Sequence, residues 1–75
     1  MEEKKMERIL VESSDLRSVG YDSSTGILEI EFNSGGIYQY FGVAQNVHEE
    51  LIAASSKGTY FHQNIKSHYN YNKIG

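Results

Sequence analysis

The chain contains no cysteine, no proline and no tryptophan among its 75 residues. Without cysteine it cannot form disulfides, thiolate metal sites, iron–sulfur clusters or a thiol nucleophile. Long hydrophobic runs are missing as well, because no uninterrupted apolar stretch exceeds the four residues Leu51–Ala54. A membrane-spanning helix needs about 20 such residues, so we expect no membrane segment and, without a secretion signal, a cytoplasmic protein. The length leaves room for one small domain.

Charge is distributed unevenly along the chain. Residues 1–50 contain all ten acidic residues and only four basic ones, which gives a net charge of −6. Residues 51–75 contain Lys57, Lys66 and Lys73 without any acidic residue, which gives +3. A basic segment of this kind is typical of a face that meets an anionic partner. Three lysines contact at most about three phosphates, so the same split also fits ordinary surface solvation.

Apolar and acidic residues alternate over residues 27–32, which predicts a half-buried strand with a solvated acidic face. Its apolar positions are Leu28, Ile30 and Phe32, and its acidic positions are Glu29 and Glu31. A weaker strand is predicted over residues 16–21, and another over residues 37–41 after the hairpin residues 33–36. The sequence therefore predicts a three-stranded antiparallel meander, to which residues 8–11 can add an N-terminal edge strand.

The spacing of apolar residues becomes helical in the C-terminal half. One stripe consists of Val43, Val47, Leu51 and Ala54. Asn46 and Glu49 resemble a capping box at the start of this helix, and Gly58 is placed to end it in a left-handed conformation. A second, shorter helix is predicted from Thr59, its cap, to Ser67. The members of its apolar face would be Phe61, Ile65 and Tyr69.

The predicted fold class is therefore α+β, with a small meander covered by two C-terminal helices. Residues 1–5 are almost wholly charged and are expected to be disordered. The remaining residues, 6–74, are expected to form a single domain.

No residue pattern points to catalysis or to a cofactor. His48, His62 and His68 are separated by fourteen and six residues, which is not the spacing of a helix-borne zinc site. Ser55 and Ser56 lie near His62 in sequence without an acidic residue that could orient it. The chain contains neither the G-x-G-x-x-G motif nor the Walker motif, the two glycine-rich loops that bind phosphates. We therefore expect a non-enzymatic protein without metal or cofactor.

Tyrosines, lysines and asparagines are interleaved at the C-terminal end. Proteins bind single-stranded nucleic acids with aromatic rings that stack on the bases and with lysines that neutralise the phosphates. The candidate nucleic-acid-binding residues are Lys57, Tyr60, Lys66, Tyr69, Tyr71 and Lys73. Tyrosines also serve as core and rim residues, and a small core without tryptophan needs them. The residues expected to be structural are Tyr38, Tyr40, Gly58 and Phe61.

Two runs of residues carry a resemblance to a known family. The first is the central Tyr38-x-Tyr40, and the second is Ser56-Lys57-Gly58-x-Tyr60-Phe61, with Ile65-Lys66 and Tyr69-x-Tyr71 after it. Together with Ser18-Val19-Gly20-Tyr21-Asp22 they make the chain similar to the KTSC domain. That family is named for the C-terminus of some lysyl-tRNA synthetases and includes small stand-alone bacterial and phage proteins. The resemblance implies a small domain without established activity, for which RNA binding is proposed.

Two functional hypotheses remain open from the sequence. In the first, the protein binds RNA, either single-stranded or tRNA-like, through the C-terminal lysines and tyrosines. In the second, it is a protein-interaction or accessory module, with a phage-related origin as one option, that contacts its partner through a sheet edge or an apolar patch. A hydrolytic or metal-dependent enzyme is the least favoured alternative.

Overall fold

The computed structural model describes residues 6–75, so the predicted disorder of residues 1–5 lies outside the described residues. Seven elements follow one another in this part of the chain. They are β1 (Arg8–Leu10), β2 (Leu16–Asp22), β3 (Ile27–Phe32), β4 (Ile37–Tyr40), α1 (Gln45–Ala53), α2 (Lys57–Asn64) and β5 (Tyr71–Lys73). The predicted α+β class is confirmed.

The sheet has five antiparallel strands in the order β1-β2-β3-β4-β5. The predicted meander forms its centre, and the N-terminal edge strand is present as β1. The prediction of three strands was wrong because β5 also pairs with β4. A three-residue polar strand has no periodicity of its own to reveal it. It is extended because β4 offers a free edge, where the Phe41 N–H donates to the Asn70 carbonyl and the Ile74 N–H donates to the Ile37 carbonyl.

The core lies between the helices and one face of the sheet. Nine residues form it, namely Leu16, Val19, Leu28, Ile30, Tyr40, Val43, Leu51, Phe61 and Ile65. The alternation predicted for β3 is confirmed, because Leu28 and Ile30 are fully buried and Phe32 packs against the same cluster. The hairpin between β3 and β4 is also as predicted, with Gly35 at a φ of 109° that other residues rarely adopt.

The other face of the sheet is not simply solvated, which corrects the expectation for Glu29 and Glu31. Glu29 is only 5% exposed and forms an ion pair with Arg8 of β1. Its second oxygen accepts a hydrogen bond of 2.9 Å from the Gln39 amide. Glu31 accepts a hydrogen bond of 2.9 Å from the Ser18 hydroxyl. The alternation identified the face, but it did not reveal the arginine that an added edge strand brings over it.

Both helices begin and end differently from the sequence prediction. Ala44 is the N-cap of α1, without a side-chain cap hydrogen bond, so the predicted capping box at Asn46 was wrong. Ser56 caps α2 by accepting the Thr59 N–H, and Gly58 lies inside α2 instead of ending α1. A Cβ atom added at Gly58 would lie 3.3 Å from Asp15 Cβ, so this glycine permits α2 to approach the 13–15 loop closely.

The second helix ends at Asn64, before the predicted Ser67, and Tyr69 therefore lies in the segment that leads to β5. This early end has a tertiary cause, because the chain must turn back to reach the free edge of β4. Across residues 6–75, neither helix has the length and hydrophobicity required to cross a bilayer.

Candidate nucleic-acid interface

An open groove of about 610 Å³ lies between α2 with its following segment and the β3-β4-β5 side of the sheet. Its size falls within the range of small-ligand sites, about 300–1,000 Å³. The lining residues are Asp15, Phe32, Ser34, Tyr38, Tyr40, Phe61, His62, Lys66, Ser67, Tyr69 and Tyr71. More than half of them are aromatic or imidazole-bearing, so the groove combines flat rings with a polar rim.

Strand register explains how the aromatic rings converge. Tyr38 and Tyr40 lie two residues apart on β4, so both project from the same face. Tyr71 of β5 lies directly opposite Tyr40 in the ladder. The Tyr71 ring centroid is 5.8 Å from that of Tyr38 and 5.6 Å from that of Tyr40. These distances are typical of interacting aromatic pairs, and they produce a three-ring cluster at this end of the sheet.

Two phenylalanine rings pack against this cluster. Phe61 of α2 meets Tyr40 edge-on at 5.4 Å, and Phe32 of β3 meets Tyr38 edge-on at 5.5 Å. Phe61 is fully buried, whereas Tyr71 is 54% exposed. The cluster therefore runs from the core to the surface without interruption, and its outer ring is available to a ligand.

The six tyrosines divide into two groups by their hydroxyl partners. The Tyr21 hydroxyl donates to the Val43 carbonyl, and the Tyr60 hydroxyl donates to Glu50 at 2.8 Å. The other four have no hydrogen-bond partner among residues 6–75, and all four line the groove: Tyr38, Tyr40, Tyr69 and Tyr71. The first group completes the fold, and the second presents unused donors to whatever enters the groove.

Tyr40 is the most informative member of the second group. The residue is only 3% exposed. In the part of the chain that the structure describes, every fully buried side-chain nitrogen or oxygen has a hydrogen-bond partner, and the Tyr40 hydroxyl has none. Its hydroxyl must therefore open into the groove. Burial, with the neighbouring Tyr38 and Tyr71 phenols, raises the pKa of Tyr40 to about 12. It stays protonated at physiological pH and can donate a hydrogen bond to an anionic or carbonyl oxygen.

The rim of the groove carries charge of both signs. His62 Nε2 on α2 lies 2.7 Å from Asp15 Oδ2, and both side chains are partly exposed. Ser13 holds the Asp15 loop in place by accepting the backbone N–H groups of Asp15 and Leu16, each at 3.2 Å. Lys66 follows α2 on the same rim and has no ion-pair partner among the described residues. This arrangement leaves the Lys66 ammonium free to meet an anion.

The structure brings four of the six predicted binding residues to this region and leaves two elsewhere. Lys66, Tyr69 and Tyr71 line the groove. Lys73 lies opposite Tyr38 in the β4–β5 ladder, and its Cε approaches Gly36 beside the Tyr38 ring. Lys57 donates instead to the Ala54 carbonyl at 3.2 Å. Tyr60 donates its hydroxyl hydrogen bond to Glu50 of α1. Burial and Glu50 raise the pKa of Tyr60 to about 12, which suits a structural role.

Several groove residues were not predicted as binding residues from the sequence. Tyr38 and Tyr40 were expected to be structural, and Tyr40 is indeed a core residue, but both also line the groove. Their shared strand face was a signal for this second role. Asp15 and His62 are 47 residues apart in sequence, and no local pattern could have paired them. Within residues 6–75 there is no cluster of three metal-ligating side chains.

Comparison with known proteins identifies the family. The KTSC domain model matches residues 12–69, which is most of the chain. The chain belongs to the KTSC domain family. The crystal structure of a KTSC domain protein from Yersinia pestis superimposes with a TM-score of 0.91 at 42% identity, covering 95% of this chain and all of that one. The resemblance drawn from the sequence is thereby confirmed.

Two kinds of relative share this domain. A protein from Stutzerimonas stutzeri is 46% identical over 70 residues, which cover 92% of this chain and 99% of that protein. The lysine–tRNA ligase of Trichormus variabilis is 44% identical over 63 residues, which cover 84% of this chain but only 11% of the ligase. A lysine–tRNA ligase from a Nostoc species is similar to the same extent. The KTSC domain therefore exists both as a small protein and as a segment of a much longer ligase.

Proposed function

We propose that this protein is a non-enzymatic KTSC domain that binds single-stranded RNA in the aromatic groove. The observation that carries the proposal is the set of four tyrosines whose hydroxyls have no partner among residues 6–75 and which all line one groove beside Lys66. Bases would stack on the exposed Tyr71 and the adjoining rings, while Lys66 and Lys73 would meet phosphates. An RNA ligand also agrees with the proposed cytoplasmic location.

Chemistry favours a nucleic acid over a small apolar ligand. An apolar ligand would cover the rings but leave the tyrosine hydroxyls without partners, which costs free energy. A nucleotide supplies both a flat base for the rings and phosphate or sugar oxygens for the hydroxyls. The 2′-hydroxyl of RNA is an additional donor and acceptor at such a site.

The relationship to a lysine–tRNA ligase segment gives the proposal a second support. That enzyme is named for a tRNA substrate, and 63 of its residues align with this chain. This supports a tRNA-like or single-stranded RNA as the ligand. The activity of the whole ligase is not part of the proposal, because the shared segment is 11% of its length.

Fluorescence anisotropy with short labelled single-stranded RNAs tests the proposal. We expect Tyr71→Ala to weaken binding by about 1–3 kcal/mol, as for loss of a base-stacking aromatic. Lys66→Ala should weaken it too, and Lys57→Ala is the matched control because Lys57 folds back onto the Ala54 carbonyl. Equal losses for Lys57→Ala and Lys66→Ala would count against the groove as the binding site.

Failure of the unmodified protein to bind RNA at low salt would leave the second hypothesis. A protein-interaction role is favoured by a different observation, the exposed apolar residues Ile9 and Leu10 on β1. They lie at the opposite edge of the sheet from the groove, so the two roles do not compete for one surface.

A further inference from the structure

The outer edge of β1 presents backbone groups that are free to pair with another strand. The Val11 N–H donates to the Arg17 carbonyl at 3.1 Å, so Val11 and, by alternation, Ile9 direct their backbone groups toward β2. The backbone groups of Arg8, Leu10 and Glu12 therefore point away from the sheet. No residue of the 6–75 range accepts from or donates to them outside the regular ladders.

The side chains of this edge are unusually apolar for an exposed position. Leu10 is 76% exposed and Ile9 is 57% exposed, the two highest values among the exposed large hydrophobic residues of the described chain. Natural edge strands are usually protected by proline, by charged side chains or by a bulge. The opposite edge strand, β5, carries Lys73, whereas the one charged residue of β1, Arg8, is directed back over the sheet to Glu29.

We propose that two copies of this chain associate by antiparallel pairing of their β1 strands, with Leu10 on the two-fold axis. In that register Leu10 faces Leu10 of the second copy, and Arg8 faces its Glu12. Arg8, Leu10 and Glu12 are spaced two residues apart, so all three side chains lie on the sheet face opposite the helices. Arg8 of each copy therefore meets Glu12 of the other copy on that face, once at each end of the strand pair. Ile9 and Val11 meet on the helix face.

Charge complementarity favours the Leu10-centred register over the register centred on Ile9. The outward backbone groups also permit pairing centred on Ile9, but Arg8 would then lie opposite Leu10 and Glu12 would lie opposite Met6. That register leaves both charges facing apolar side chains, whereas the Leu10-centred register pairs opposite charges. Arg8 contacts Ser18, Glu29 and, at 4.0 Å, Glu31 through its three nitrogens, but its side chain is still 28% exposed and its five N–H groups can donate to a further carboxylate.

The resulting dimer would contain one continuous ten-stranded sheet. A two-fold axis perpendicular to an antiparallel pair keeps the helices of both copies on the same side. The two aromatic grooves would then open on that side, about 34 Å apart, because seven strand spacings of about 4.8 Å separate the two β4 strands. This geometry does not depend on what the grooves bind, but it would allow one long ligand to occupy both.

Site-specific crosslinking tests the dimer, because the natural chain has no cysteine. In the proposed register the two Leu10 Cα atoms are about 5.5 Å apart, within the range that a disulfide spans. Leu10→Cys should therefore form a covalent dimer rapidly on mild oxidation. Ile9→Cys should react more slowly, because the two Ile9 residues are two positions out of register, and Ile74→Cys at the far edge is the control.

Sedimentation of the cysteine-free protein supplies the second measurement. We expect a concentration-dependent dimer at about 100 μM, because so short an interface is weak. Leu10→Lys should shift the population to monomer while its circular dichroism and melting temperature stay unchanged. Ile74→Lys should remain dimeric. A protein that stays monomeric at this concentration, faster crosslinking of Ile9→Cys than of Leu10→Cys, or monomers from both lysine variants would overturn the proposal.

Discussion

Tyr40 shows how one residue serves both the core and the groove. Its ring packs edge-on against Phe61, while its hydroxyl opens into the groove without a protein partner among residues 6–75. The ring is therefore required for folding and the hydroxyl is not. The two roles separate in a Tyr40→Phe substitution, which keeps the ring and removes only the oxygen.

Alkaline stability should report the burial of Tyr40. Its pKa is raised to about 12 in the folded protein, from an ordinary value of about 10. Between pH 10 and 12 the unfolded chain loses this proton and the folded chain retains it, so the free energy of unfolding falls as pH rises. The loss reaches about 2 kcal/mol at pH 12. Urea denaturation at pH 8, 10 and 11.5 would measure it.

Tyr40→Phe is the matched variant for this measurement. Because the lost hydroxyl has no partner among the described residues, stability at pH 8 should change by less than about 1 kcal/mol. The variant should lose less stability than the natural protein between pH 10 and 12. Half-buried Tyr60 shifts in the same direction and remains in both proteins, so parallel pH profiles would contradict the burial of Tyr40.

Glu29 provides a second prediction at the scale of a residue. Its carboxylate is almost fully buried and pairs with Arg8 while it accepts from Gln39. Glu29→Ala leaves the Arg8 guanidinium without that partner and should cost about 1–3 kcal/mol. Glu12→Ala, at an exposed position, should change stability by less than about 0.5 kcal/mol in the monomer. Equal melting temperatures for the two variants would show that the Arg8–Glu29 pair contributes nothing.

At the scale of elements, the two helices differ in how their first turns are satisfied. Ser56 accepts the Thr59 N–H at the start of α2, whereas Ala44 offers no side-chain acceptor at the start of α1. Of the two helices within residues 6–75, only α2 therefore has a side-chain cap. The α1 N-terminus is held by tertiary contact, since the Val43 N–H donates to the Gly26 carbonyl at 2.9 Å.

Substitutions at the two helix starts test this difference. Ser56→Ala should lower the free energy of unfolding by about 1 kcal/mol. For a domain of this size that corresponds to a fall of about 4–8 °C in melting temperature. Asn46→Ala should have almost no effect, because Asn46 lies within α1 and does not cap it. A larger loss for Asn46→Ala than for Ser56→Ala would contradict the observed helix boundaries.

At the scale of the whole molecule, the charge split predicts a weak salt dependence of RNA binding. The three C-terminal lysines alone would suggest a slope of about −2 in log affinity against log salt. Lys57 is directed away from the groove, so Lys66 and Lys73 leave a slope of about −1.4. Titrations at several salt concentrations should give this smaller value, and Lys57→Ala should not change it. A slope near −3 or steeper would require phosphate contacts outside the groove.

The fold class and the central strands were predictable because they depend on local patterns. Alternation at Leu28 and Ile30 requires one buried sheet face wherever the partner lies, and the Gly35 hairpin brings β3 and β4 together. The helical spacing of Val43 and Leu51 likewise predicts α1, although not its first residue. Tyr69, Tyr71, Lys66 and Lys73 were predicted as a group because they are close in sequence.

What the amino-acid sequence determined by itself was the set of central elements and the face that each one buries, because periodicity is a property of neighbouring residues. Only the tertiary structure decided that Tyr71–Lys73 is a strand, that Glu29 is buried by Arg8, and that Asp15 lies beside His62. Each of these depends on residues far apart in the chain, which meet because the hydrophobic core brings their elements together. The groove is such a product, assembled from strand register and helix packing.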